Sequence, residues 1–143
     1  MPKVKQTPEM YQFSLTDYRV LSANFTANQR VDSQEEISID TRITIKHAWQ
    51  ESNSSINLAL TVNVSGDNSP FSLDVSMGGI FTFKTALSEK DQIDHVAEIN
   101  CASILFPFLR EVVADLTRRG GFTPLLLPPV NFYDIYKQNH SGK

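Results

Sequence analysis

Between Ile37 and Trp49 the chain alternates in a strict period of two. Ile37, Ile39, Thr41, Ile43, Ile45, His47 and Trp49 occupy the odd positions, and Ser38, Asp40, Arg42, Thr44 and Lys46 the even ones. Successive side chains of an extended chain point to opposite faces, so this segment must be a strand with one buried and one wet face. Two further segments repeat the pattern. Ile56, Leu58, Leu60, Val62 and Val64 alternate with Asn57, Thr61 and Asn63, and Phe71, Leu73, Val75 and Met77 alternate with Ser72, Asp74 and Ser76. Turn residues separate them at Glu51-Ser52-Asn53-Ser54 and Gly66-Asp67-Asn68-Ser69-Pro70. Ahead of these, residues 13–27 are also apolar at intervals, but their parity wanders: Phe13 and Leu15, then Tyr18 and Val20, then Leu21, Ala23 and Phe25. A bulge resets the face of a strand in this way. Four consecutive strands with short loops imply an antiparallel meander.

The period then changes. Ser88-Glu89-Lys90-Asp91 resembles a helix start. Leu105, Leu109, Val112 and Leu116 follow at helical spacing, with Ile104, Phe108 and Val113 widening the stripe. Pro107 lies inside this pattern and predicts a kink or break there. Arg118-Arg119 and Gly120-Gly121 read as the helix end. Asn131-Phe132-Tyr133-Asp134 reads as the capped start of a short last helix. The expected architecture is α+β: a four-stranded antiparallel meander, one long kinked helix and a short C-terminal helix. Residues 1–143 form one domain in this reading, with 1–12 and 138–143 expected to be flexible.

A chain of 143 residues is long enough for one proper core. Its formal net charge of −3 offers no pull toward nucleic acid or an anionic membrane. No stretch is apolar enough for a membrane helix, and no apolar run follows the first few residues, so neither membrane insertion nor a signal peptide is expected. The single cysteine, Cys101, cannot staple the fold and suits a reducing, cytoplasmic setting.

No residue set points to catalysis or to a cofactor. Cys101 has no base or orienting group beside it in sequence and reads as a buried inert thiol. His47, His95 and His140 are scattered without metal-ligand spacing, so no metal site is assigned. Gly78-Gly79 lacks the lysine and helix of a phosphate loop and reads as a bend or bulge. The unusual segment is Phe122 to Pro129, where leucines stand between prolines. Loops are normally polar. These leucines either cap the core or form an exposed wall for another polypeptide, and both can hold at once.

Several motifs resemble the SecB export chaperones. They are Phe71-Ser72-Leu73-Asp74-Val75-Ser76-Met77-Gly78-Gly79-Ile80-Phe81, Ile99-Asn100-Cys101-Ala102-Ser103-Ile104-Leu105-Phe106-Pro107, Arg119-Gly120-Gly121-Phe122, and Leu127-Pro128-Pro129-Val130-Asn131-Phe132. They occur in the family's order. The resemblance implies a homotetramer, a dimer of dimers, that holds unfolded secretory precursors without ATP or any cofactor and delivers them to the translocase motor SecA. It places Phe122, Leu125, Leu127, Phe132 and Tyr136 at the client groove, Asp74 at the SecA dock, and Leu73, Val75 and Met77 at the subunit contact. Here Ser72 stands beside that acid where the family often has leucine, and the chain ends Lys137-Gln138-Asn139-His140-Ser141-Gly142-Lys143 without an acidic tail. A chaperone dedicated to one protein, such as an antitoxin, is the alternative the resemblance leaves open.

Overall fold

The structure, a computed structural model, describes residues 12–28 and 37–141. Four strands, β1 (Phe13–Ala27), β2 (Asp40–Gln50), β3 (Ser55–Ser65) and β4 (Phe71–Phe83), form one antiparallel sheet. A helical run follows: α1 (Lys90–His95), a π-helical turn (Val96–Cys101) and α2 (Ala102–Arg119); α3 (Phe132–His140) closes the described chain. The expected fold class therefore stands. The strand order does not follow a simple meander, because it is β1-β4-β3-β2. Strands β2, β3 and β4 are the meander, and β1 lies on the far side of β4. The connection between β1 and β2 thus crosses three strand spacings, about 14 Å. A dozen residues span that with ease, so a short loop in the sequence did not require neighbouring strands.

Register explains the buried faces. Ile56, Leu60, Val62 and Val64 of β3 pair with Phe81, Met77, Val75 and Leu73 of β4. All eight are buried beneath the helices. Ile43, Ile45, His47 and Trp49 of β2 share this inner face. In β1 the register slips twice, at Thr16 and at Leu21. The slips carry Phe13 and Leu15, then Tyr18 and Val20, then Ala23 and Phe25 onto the inner face in turn, as the wandering parity predicted. Leu21, the extra residue, points outward over Gly78. The irregularities lie in β1 and not at Gly78-Gly79, where β4 continues regularly. Gly79 instead makes room for the helix: a Cβ there would lie 3.2 Å from a methyl of Leu105.

The helical run packs Val96, Ala97, Cys101, Leu105, Leu109 and Val113 into one core with these strands. Each valine and leucine among them contributes about 1.5–3 kcal/mol when fully buried. The helix passes through Pro107 unbroken, and the departure from α geometry falls upstream, in the π turn. Its closing bond runs from the Ala102 N–H to the Ala97 carbonyl, five residues back. No side chain caps the start at Lys90. Residues 1–11 and 142–143 of the segments expected to be flexible lie outside the described residues; 138–140 belong to α3.

Candidate functional site

The loop between α2 and α3 is pinned at both ends. Gly121 takes a φ of +87°, which a side chain would oppose. Around it the Phe122 N–H bonds to the Thr117 carbonyl and the Gly121 N–H to the Arg118 carbonyl, each at 3.0 Å. This pair of bonds satisfies the last helical carbonyls. The buried Thr117 hydroxyl also accepts from the Leu125 N–H at 2.9 Å. Phe122 packs on Phe71, ring centroids 5.1 Å apart. At the far end the Asn131 side chain accepts from the Asp134 N–H at 3.2 Å and caps α3, as its sequence predicted.

Between these pins the three leucines separate. Leu127 is 2% exposed, Leu125 is half-buried and Leu126 is 68% exposed. An extended segment turns neighbouring side chains to opposite sides, so they cannot all face one way. Of the five residues expected at the groove, Leu127 and Phe132 are core in this chain and hold the loop from beneath; Phe132 meets Phe106 edge-on at 5.6 Å. Phe122, Leu125 and Tyr136 are half-buried. Sequence reasoning missed the exposed members, Leu126 and Tyr133. Alternation within the leucine run was the signal available for Leu126.

Strand β4 divides its residues in the same way. Leu73, Val75 and Met77, expected at a subunit contact, are buried beneath the helical run, so the strand's period of two assigns them to this chain's own core. The surface that β4 offers is the opposite one, with Ser72, Asp74 and Ser76. Asp74 is exposed there and accepts a hydrogen bond from the side-chain amide of Asn63. On this outer face a cavity of about 450 Å³ opens, lined by Leu21, Lys46, Ala48, Ala59, Gly78 and Ile80 among others.

The β1 edge is apolar. Tyr18 and Val20 are 48% and 46% exposed although they point to the helix side. Helix α2 runs over β3 and β4 and only partly over β1. The Tyr18 ring lies 4.3 Å from that of Phe108. A cavity of about 600 Å³ lies between strand and helix, lined by Tyr18, Val20, Phe108, Val112 and Leu116 among others.

A polar cluster that sequence reasoning missed lies at the opposite edge. His47 Nε2 of β2 is 3.2 Å from Glu98 Oε2 and 3.6 Å from Asp94 Oδ1. His140 Nε2, at the end of α3, is 3.2 Å from Glu98 Oε2. Lys90 reaches the other oxygen of Asp94 at 2.7 Å. The Tyr136 ring packs against His140 at 4.2 Å and against His95 at 5.3 Å. Burial, with Asp91, Glu98 and Asp94 nearby, holds its phenol above the ordinary value. The helical spacing of Asp94 and Glu98 was legible; the arrival of two histidines from remote elements was not. Cys101 is fully buried, and burial pushes its thiol up to about 12, as the inert reading requires.

The family described as "Preprotein translocase subunit SecB" matches residues 12–143. The protein-export protein SecB of Magnetococcus marinus is 34% identical over 135 residues, covering 90% of this chain and 82% of its own. That of Acidithiobacillus ferrooxidans is 36% identical over 104 residues, covering 72% and 68%. Among solved structures, the fold is similar to the Mycobacterium tuberculosis Rv1957 SecB-like chaperone in complex with a ChAD peptide from the Rv1956 HigA1 antitoxin. The TM-score is 0.72 at 17% identity, with 82% of this chain and 90% of that one covered. With its sheet, its helical run and its motifs accounted for, this chain belongs to the SecB family.

Proposed function

We propose that this chain is an export chaperone that holds unfolded polypeptides on apolar surface without nucleotide. The observation that carries the reading is Leu126, exposed on a loop whose next residue, Leu127, is locked into the core. A stiff loop between prolines loses little entropy when a client binds it. Exposed Tyr133 on the adjoining helix and half-buried Tyr136 extend the surface. Several such sites in one oligomer raise avidity with no further chemistry. The test is aggregation of a slowly refolding protein with no nucleotide present. Suppression at about one oligomer per client supports the reading, and a folded oligomer that fails to suppress overturns it.

Two finer roles accompany it. Exposed Asp74 on the polar outer face is the proposed contact for SecA. The apolar β1 edge, with Tyr18, Val20, Ile104 and Phe108, is the proposed contact through which subunits build a dimer of dimers. A second reading is a chaperone dedicated to one client, favoured by the structural neighbour, which was solved with an antitoxin peptide. Tight binding of a single native partner, with no effect on generic aggregation, would select it.

A further inference from the structure

The geometry points to a transition-metal site of the zinc type, built from His47, Asp94 and Glu98 and completed by His140. The donors come from three elements: His47 from β2, Asp94 and Glu98 from the helical run, and His140 from the last position of α3. Their chemistry is imidazole nitrogen plus carboxylate oxygen, the set that binds zinc-like ions in preference to calcium or magnesium. His47 Nε2, one Asp94 oxygen and one Glu98 oxygen all lie within 4.8 Å of one another. Ligands about 2.0–2.1 Å from a tetrahedral zinc are about 3.3–3.4 Å apart. His47 lies 3.2 Å and 3.6 Å from the carboxylates, at that spacing; His140 lies 3.2 Å and 3.3 Å from the two oxygens of Glu98 and reaches the site through that carboxylate.

Burial makes these donors unlike a surface acidic cluster. The side chains of Asp94, Glu98, His47 and His140 are 9%, 12%, 16% and 22% exposed. Two carboxylates so far removed from water need compensating charge. Among the described residues Lys90 is the one lysine or arginine with an ion pair to either, and it reaches only Oδ2 of Asp94. Oδ1 is left facing His47. The π turn carries Glu98, and four of its six residues, Val96, Ala97, Glu98 and Cys101, are buried. π turns inside helices often mark functional sites. A bound ion would tie β2, the helical run and α3 together, and would fix α3 beside the loop that carries Leu126. The site does not depend on the client-binding reading.

The test uses the full chain without an affinity tag, titrated with Co²⁺ and followed by the visible absorption of a tetrahedral cobalt site. The expected result is saturation at one ion per chain and loss of the band on adding Zn²⁺. Glu98→Gln and His47→Ala should abolish the band. His140→Ala sits at a helix end and should keep the fold while weakening affinity at least about tenfold, the loss that removing even an outer partner can cause. His95→Ala should leave binding unchanged. A thermal melt supplies a second readout: at one Zn²⁺ concentration the Tm of the native chain should rise, and that of His140→Ala should rise by less. No band in the native chain, or a band unaltered by His47→Ala and His140→Ala, overturns the proposal. Melts with and without Zn²⁺ that coincide for the native chain do the same.

Discussion

The two outer strands of the sheet close the molecule in opposite ways. In the middle of the β1 edge Tyr18 and Val20 face the helices, and the covering helix leaves them about half exposed. At the β2 edge His47 faces the same layer but meets Glu98 and Asp94, and His140 of α3 joins them. One edge is apolar and unfinished; the other is polar, and its groups meet one another within the chain. Apolar surface left open favours another polypeptide, because its removal from water is non-directional. Buried charges demand particular partners, and here they hold the chain's own last helix. The loop with Leu126 joins α2, which flanks β1, to α3, which is tied to β2.

The largest effect we expect concerns the difference between neighbours in that loop. Leu127→Ala should destabilise the fold by about 2–5 kcal/mol, the cost of a fully buried leucine, as measured by urea denaturation. Leu126→Ser should shift the same curve by no more than about 0.5 kcal/mol and yet weaken suppression of aggregation. If both variants unfold alike, the loop is core throughout and the exposed wall is lost. The edges come next. His47→Ala should cost about 1–3 kcal/mol by leaving buried carboxylates short of a partner. The pair Tyr18→Ser with Val20→Ser should leave the melting of a single chain nearly unchanged while shifting the oligomer to smaller species in light scattering. An oligomer that keeps its mass would remove β1 from the subunit contact. Gly121→Ala should cost about 1–2 kcal/mol through its left-handed backbone alone, since a Cβ there meets nothing within 4 Å.

The smallest effect belongs to Cys101. Burial raises its thiol from 9.0 to about 12, so the folded chain keeps a proton that the unfolded chain gives up. This contribution to stability is complete below pH 9.0 and is lost as pH rises toward about 12. Near neutral pH a thiol reagent should react with Cys101 only as fast as the protein opens. Prompt modification of the folded chain would contradict its burial.

Much of this was legible in the residues. The alternation in residues 43–83 assigned strand faces correctly, although Ile37 and Ile39 lie ahead of β2 and are exposed; the parity of 13–25 announced two resets, and Asn131 marked the start of α3. Depth was not legible. The period of two puts Leu73, Val75 and Met77 on one face with Phe71, and only the position of the helical run makes that face part of this chain's core. The leucine run left open whether its side chains cap the core or face outward, and packing buries Leu127 and Phe132. Pro107 predicted a kink or break, yet α2 continues through it, since a helix packed along a sheet can keep its path while one residue lacks an N–H.

The sequence by itself determined the elements of this protein, their amphipathic faces and the family to which it belongs. The elements and faces follow from periodicity, caps and glycines, whose physics acts within a few residues, and the family is carried by the chain's motifs. Tertiary structure decided that β1 joins β4, that Leu126 is exposed while Leu127 is not, and that His47 and His140 meet at Glu98. Those outcomes depend on which surfaces remove the most apolar area from water while giving buried charges partners. Groups remote in sequence settle that only when the whole chain has packed.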